Sequence, residues 1–175
     1  MKSAIIYSST DGQTKKICEK IKENLLNNSE HIILSIENTS GFNFDDYDFI
    51  IVGASIRYGK HNSKVFDFVK NNLKLLRDKK NAFFSVNVVA RKPGKDTPQT
   101  NPYVKKFLNK TNWKPDILGV FAGKVDYPSY NFFNKQIIRF IMFITKGPTD
   151  VSQSYEFTNW EKVKEFALEI NGKFN

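Results

Sequence analysis

The sequence predicts an α/β fold, a doubly wound five-stranded parallel sheet in one domain, and three observations carry that expectation. Near-continuous apolar runs alternate with amphipathic helical stretches, the pattern of a parallel sheet covered on both faces. The first such run enters a turn rich in hydroxyls, Ser8-Ser9-Thr10-Asp11-Gly12-Gln13-Thr14, which opens a helix. Two later runs end in loops that combine glycine with aromatic or basic side chains.

Residues 3–7 read as the first buried strand. A helix follows from Gln13 to about Asn27, with Ile17, Ile21 and Leu25 four apart on one stripe. Residues 31–36, 48–54, 82–89 and 117–122 read as the remaining strands. A helix from Ser63 to about Arg77 carries Val65, Phe66, Phe68, Val69, Leu73 and Leu76 at helical spacing. Thr100 or Asn101 can cap the next helix, whose first position is Pro102, where a missing N–H costs nothing. The last helix starts at Thr158-Asn159-Trp160-Glu161, a capping-box pattern, and runs to about Asn171. Between the fifth strand and that helix lies an insertion of about residues 123–153, far longer than the usual connection. The strand-like Ser154-Tyr155-Glu156-Phe157 then resumes, so the insertion is expected to split the fifth strand.

The chain has 175 residues, 40% hydrophobic and 26% charged, which suits one soluble domain with a real core. Its single cysteine excludes an internal disulfide and fits a reducing cytosol. No basic-then-apolar leader precedes Ala4-Ile5-Ile6, and the longest apolar run, residues 140–144, is too short to span a bilayer. The expected location is cytoplasmic, or peripheral on the inner face of the cell membrane. A net charge of +9 points to nucleic acid, an anionic membrane surface or an acidic small substrate, unless a lysine-rich proteome is the cause. No nucleic-acid-binding motif supports the first of these. His31, His61 and Cys18 lack metal-ligand spacing, and no Ser/His/Asp set suggests hydrolysis. Cys18 is expected as a packed residue, His31 as structural, and His61 as solvent-exposed beside the second loop.

The turn after the first strand can hold a monophosphate. Gly12 permits close backbone approach, hydroxyls and free amides donate, and the helix adds its positive dipole end. It lacks G-K-[ST] and the three spaced glycines of a dinucleotide fold. The competing reading is a serine-rich turn that only caps the helix. Asp11 is awkward beside a dianion and is expected to point away or to cap. The second loop, residues 54–61, offers Tyr58 as an aromatic face. The third, residues 87–94, carries Arg91 and Lys92. Together the three loops could supply phosphate donors, a stacking surface and backbone groups for a flat heteroaromatic such as flavin mononucleotide. The insertion, read as a helix from about Asn131, has a broad apolar surface with Lys135, Gln136 and Arg139 as its polar minority. It either packs on the sheet edge or lies at a lipid interface.

Ser9-Thr10-Asp11-Gly12-Gln13-Thr14 carries the flavodoxin signature, with Cys18 where alanine is usual. Gly53-Ala54-Ser55-Ile56-Arg57-Tyr58-Gly59, Val89-Ala90-Arg91-Lys92-Pro93, Thr97-Pro98-Gln99-Thr100-Asn101, Trp113-Lys114-Pro115-Asp116 and Tyr127-Pro128 extend the likeness over nearly the whole chain. On these runs the sequence resembles the flavodoxin-like, menaquinone-dependent protoporphyrinogen IX dehydrogenases. The resemblance implies strand order 2-1-3-4-5, FMN as cofactor, protoporphyrinogen IX as substrate, menaquinone or another quinone as acceptor, and membrane association. It implies FMN contacts from Ser9, Thr10, Asp11, Gly12, Gln13 and Thr14, from Ser55, Ile56, Arg57, Tyr58 and Gly59, and from Ser85, Val86, Asn87, Val88, Val89 and Ala90. Arg57, Arg91, Lys92 and Tyr127 are the expected substrate contacts, the cations holding propionates. No protein general base and no metal ligand is expected, and the oligomeric state is left open. A one-electron carrier and an NAD(P)H-linked quinone reductase are the alternative roles. Electron-carrier flavodoxins are typically acidic, and +9 weighs against the first.

Overall fold

The structure is a computed structural model that describes residues 2–26 and 30–174. Its frame is a parallel sheet of β1 (Ser3–Ser8), β2 (His31–Ser35), β3 (Phe49–Arg57), β5 (Lys80–Val86) and β6 (Ile117–Phe121), with β4 (Lys60–His61) as a short antiparallel return on β3. The order is β2-β1-β3-β5-β6, which is the expected 2-1-3-4-5 once the short return is set aside. Alternate residues of each strand serve opposite layers, because strand side chains alternate faces. Ile5, Phe49 and Ile51 pack with α1 (Gln13–Asn24) and α6 (Trp160–Phe174). Ala4, Ile6, Ile50 and Val52 pack on the other face, beneath α2 (Ser63–Asn71), α3 (Leu73–Asp78) and α4 (Pro102–Thr111). Gly53 is required by this packing, since a Cβ there would sit 2.2 Å from the Phe84 ring.

Several boundaries differ from the expected ones, each for a local reason. Helix α1 ends at Asn24 because Leu25 is extended; Asn27, its expected end, lies outside the described residues. The expected helix over 63–77 breaks at Asn72 (φ −114°), whose side-chain amide donates to the Phe68 carbonyl at 2.8 Å. Strand β5 stops at Val86 because Asn87 starts a 3₁₀ turn, Val88–Arg91, by accepting from the Ala90 amide. Strand β3 continues to Arg57 because Tyr58 and Gly59, both at positive φ, turn the chain back into β4. Asn101 is the cap of α4, accepting from the Tyr103 and Val104 amides with Pro102 first in the helix.

The insertion leaves after β6 and forms β7 (Lys124–Asp126), a 3₁₀ turn, α5 (Phe132–Ile144) and β8 (Ser154–Glu156). The returning segment does not re-enter the parallel sheet. β8 pairs antiparallel with β7 as a separate ribbon beyond the end of β6, tied at its base by the Phe157 amide on the Gly123 carbonyl. Val125, Tyr127, Tyr130 and Met142 give the insertion its own small core. The strand registers align Ser8 with Ala54 and Ala54 with Ser85, so the three loops leave the sheet side by side.

Candidate active site

The turn after β1 is built to receive an anion. Gly12 occupies the N-cap of α1 at φ 81° and offers no side-chain cap, and the first helical turn contains no acid. The amides that a Ser or Asp cap would satisfy therefore remain available. Below them the Thr14 hydroxyl is buried and has no hydrogen-bond partner. A buried hydroxyl left unpaired costs about 1–3 kcal/mol, a cost that a bound anion would remove. Asp11 does not cap the helix; it borders the turn-side cavity, and its carboxylate accepts from Arg57 at 2.6 Å and from the Tyr130 hydroxyl at 3.0 Å. Gln13 is spoken for as well, donating to Glu156 and Thr158 across the base of the insertion. The residues fit a phosphate monoester held by backbone amides, the hydroxyls of Ser9 and Thr10, and Thr14.

A cavity of about 40 Å³ beside this turn is lined by Ser9, Thr10, Thr14, Ser55 and Asn87, among others. A second, of about 100 Å³, opens between the loops after β3 and β5, where Ile56, Tyr58, Val88 and Val89 face Ile138, Ile141 and Met142 of α5. Both are small beside the roughly 300 Å³ of a ligand pocket, because the insertion is folded down on them. Tyr58 donates to Asn134 of α5 at 2.5 Å. Arg57 lies between the Tyr58 and Tyr130 rings, 5.1 and 4.9 Å from their centroids. Burial works against the Arg57 charge, but Asp11 and the two phenols outweigh it and raise its pKa. Burial also pushes the Tyr130 phenol up to about 12, so it donates to Asp11 throughout the physiological range. A flat ring entering this cavity must lift the insertion.

The remaining expected residues divide between lining and support. Val86 and Asn87 border the turn-side cavity. Ser85 and Ala90 are buried: Ser85 contacts His61 Nε2 and the Asn87 amide, and the Ala90 amide donates to Asn87. Arg91 lies beside the cleft but its guanidinium is spent on backbone, donating to the Val88 carbonyl and to the Thr145 carbonyl and hydroxyl. It ties the third loop to the end of α5. Lys92 borders neither cavity. Tyr127 is not brought to the cleft either; it is buried in the insertion core with its hydroxyl on the Pro148 carbonyl.

His61 corrects the expectation of exposure. It is 5% exposed, packed among the Phe66, Phe83 and Phe107 rings, because β4 folds it under the hairpin. His31 is buried against Ser3, and Cys18 is a packed thiol whose pKa burial raises. Two residues outside the expected contacts stand at the cleft: Tyr130, and Lys124, which lines both cavities while its ammonium pairs with Asp126 at 2.9 Å. Among the described residues no cluster of acids, histidines and cysteine could hold a metal.

A profile of the flavodoxin domain matches residues 4–152. Among solved structures, oxidised flavodoxin 2 of Bacillus cereus superposes with TM-score 0.57 at 20% identity, covering 99% of this chain and all of its own. Flavodoxin 1 of the same organism gives 0.54 at 16% identity, with both chains covered in full. At these identities the likeness is one of fold. Sequence relatives are closer: the protoporphyrinogen IX dehydrogenase (quinone) of Leishmania major is 40% identical over 171 residues, which cover 97% of this chain and 74% of that protein. The Escherichia coli K12 protein of the same name is 39% identical over 171 residues, covering 97% and 94%. With the signature turn, sheet order and both ring loops in register, the chain belongs to the flavodoxin-domain proteins and, within them, to the protoporphyrinogen IX dehydrogenase (quinone) family.

Proposed function

We propose that the protein is an FMN-dependent oxidoreductase that dehydrogenates protoporphyrinogen IX to protoporphyrin IX, each two-electron step reducing one quinone, menaquinone in the first instance, to its quinol. The observation that carries the reading is the unpaired Thr14 hydroxyl, buried under an uncapped helix N-terminus. That arrangement suits the FMN phosphate. Family membership at 39–40% identity over 97% of the chain supports the substrate and the acceptor.

Residues 9–14 would hold the phosphate, with Thr14 donating its hydroxyl, while residues 55–59 and 86–90 would frame the ring. FMN, when bound, supplies the electron-accepting centre between porphyrinogen and quinone. The chain's own part is positioning. Arg57 lines the ring cavity and neutralises the Asp11 carboxylate beside the phosphate turn. Ile138, Ile141 and Met142 roof the cavity and exclude water. His61 packs among aromatic rings at the edge of the second loop, and burial pushes its pKa down to about 4, so it is neutral in the physiological range.

Among the described residues no helix is long and apolar enough to cross a membrane. The outer face of α5 still exposes Phe132, Phe133, Phe140, Phe143 and Ile144, with Lys135 and Arg139 on the same helix. We read this face as a contact with an anionic membrane surface, where porphyrinogen and quinone both partition. The deciding experiment is anaerobic mixing of FMN-loaded protein with protoporphyrinogen IX. The visible flavin bands should bleach and return on adding a menaquinone analogue. Protein that takes up no FMN, or whose flavin is untouched by porphyrinogen, overturns the proposal.

A further inference from the structure

A cleft larger than the two cavities above adjoins them and shares Thr10 and residues 55–59 with the proposed FMN site, while the rest of its lining has no role described so far. It encloses about 550 Å³ between the β3–β4 hairpin, the start of α2 and the outer face of α4, a volume in the range of ligand pockets. Its walls are aromatic, with Tyr58, Phe66 and Tyr103 among them, and its rim carries Lys60, Lys106 and Lys110. Lys106 and Lys110 lie one turn apart on α4 and so share a face. No Asp or Glu lines the cleft. Among the described residues none of the three lysines has an acidic partner; Lys110 rests 5.7 Å over the Phe66 ring. The two arginines in the neighbourhood are committed, Arg57 to Asp11 and Arg91 to backbone carbonyls. Tyr58 and Tyr103 also line the ring cavity. A molecule seated here therefore reaches the place where the ring loops meet.

We infer that this cleft seats the carboxylate-bearing edge of the tetrapyrrole, with Lys106 and Lys110, seconded by Lys60, binding the two propionates while Tyr58 and Tyr103 contact the flat macrocycle. The inference rests on the proposed substrate and specifies where it docks. The occupant follows from charge and shape together: an apolar-walled cleft ringed by unpaired cations selects a flat aromatic dicarboxylate and gives an uncharged quinone no use for the lysines. Because the lysines are solvent-exposed, their contribution is modest and screened by salt.

The test compares the FMN-loaded wild type with Lys106→Gln/Lys110→Gln, titrating protoporphyrin IX and its dimethyl ester by absorbance. Wild type should bind the diacid about ten-fold more tightly than the diester, with the preference shrinking as salt rises. The double variant should lose about ten-fold in diacid affinity, keep its diester affinity, and raise the KM for protoporphyrinogen at little change in kcat. Lys106→Arg/Lys110→Arg should restore binding. FMN titration and thermal melting of each variant confirm an intact fold. Equal diacid affinity in wild type and the Gln variant, with catalysis intact, overturns the cleft assignment and leaves the enzyme reading standing. A wild type that binds FMN but neither binds nor oxidises the tetrapyrrole overturns both.

Discussion

Asp11 and Arg57, 46 residues apart in sequence, meet at 2.6 Å, and the Tyr130 hydroxyl donates to the same Asp11 oxygen at 3.0 Å. One carboxylate thus pins the phosphate turn, the second loop and the insertion together. The arrangement also explains how an acid can stand in a turn meant for a dianion: its charge is neutralised by Arg57.

Removing the arginine should expose that conflict. Arg57→Ala leaves Asp11 without its cation beside the phosphate, and FMN affinity should fall about five-fold, in keeping with roughly 1 kcal/mol for a partly exposed ion pair. Asp11→Asn/Arg57→Ala should recover most of that loss, as read by quenching of flavin fluorescence. A double variant as weak as the single one would show that Arg57 acts by direct contact and not by neutralising Asp11.

Thr14→Val separates stability from binding. The hydroxyl is buried and unpaired in the structure, so an apolar isostere should leave the apo-protein as stable as wild type or slightly more so. FMN affinity should meanwhile drop about ten-fold, the worth of one charge-assisted hydrogen bond. Urea melts of the apo-protein and FMN titration read the two effects independently; a variant that melts earlier and binds FMN normally would assign the hydroxyl to folding.

What the sequence made legible was whatever is local. The continuous apolar runs of β1, β3 and β5, the Asn101-Pro102 helix start and the Gly12 turn each depend on neighbours within a few residues, and each formed near its expected place. Element ends shifted for local reasons, but the misjudged exposures and pairings involve distant partners. His61 looked exposed because a two-residue strand has no periodicity; its burial comes from Phe83 and Phe107, which no local pattern connects to it. Tyr130 reaches Asp11 across 119 residues, and β8 finds β7 instead of the main sheet. Lys106 and Lys110 had the right spacing for a shared face, but only the fold reveals that this face borders the ring loops.

Arg91 offers a sharper discrimination between roles. Its guanidinium satisfies the Val88 and Thr145 carbonyls, so Arg91→Met should destabilise the protein by about 2 kcal/mol through unpaired acceptors at a loop junction. Chemical denaturation measures this directly. A variant that melts normally but loses affinity for protoporphyrin IX would return Arg91 to the substrate.

The pH dependence of stability should carry the mark of His61. Burial holds its folded pKa near 4, below the 6.5 of the free side chain, so the unfolded chain takes up the proton first as pH falls. Its contribution is complete above about pH 6.5 and declines toward pH 4, by roughly 3 kcal/mol in all. His61→Gln should flatten that stretch of the stability curve. A variant that loses stability over the same window as steeply as wild type would locate the acid sensitivity elsewhere.

Helix α5 presents the last case, because its two faces have opposite fates. Met142 is buried and Ile138 and Ile141 roof the ring cavity, while Phe140 and Phe143 remain 64% and 71% exposed on the other side. Phe140→Ser/Phe143→Ser therefore removes no internal packing, and the melting temperature should not change. Burying a phenylalanine in the bilayer interface contributes on the order of 2 kcal/mol, so losing two should weaken binding to vesicles with anionic headgroups at least thirty-fold. Flotation with phosphatidylglycerol vesicles measures it, and retained binding by the double variant would remove α5 as the membrane contact. Raising salt should weaken the wild type's binding only in part, because Lys135 and Arg139 add roughly 1 kcal/mol each near a charged surface while the aromatic share is insensitive to ions.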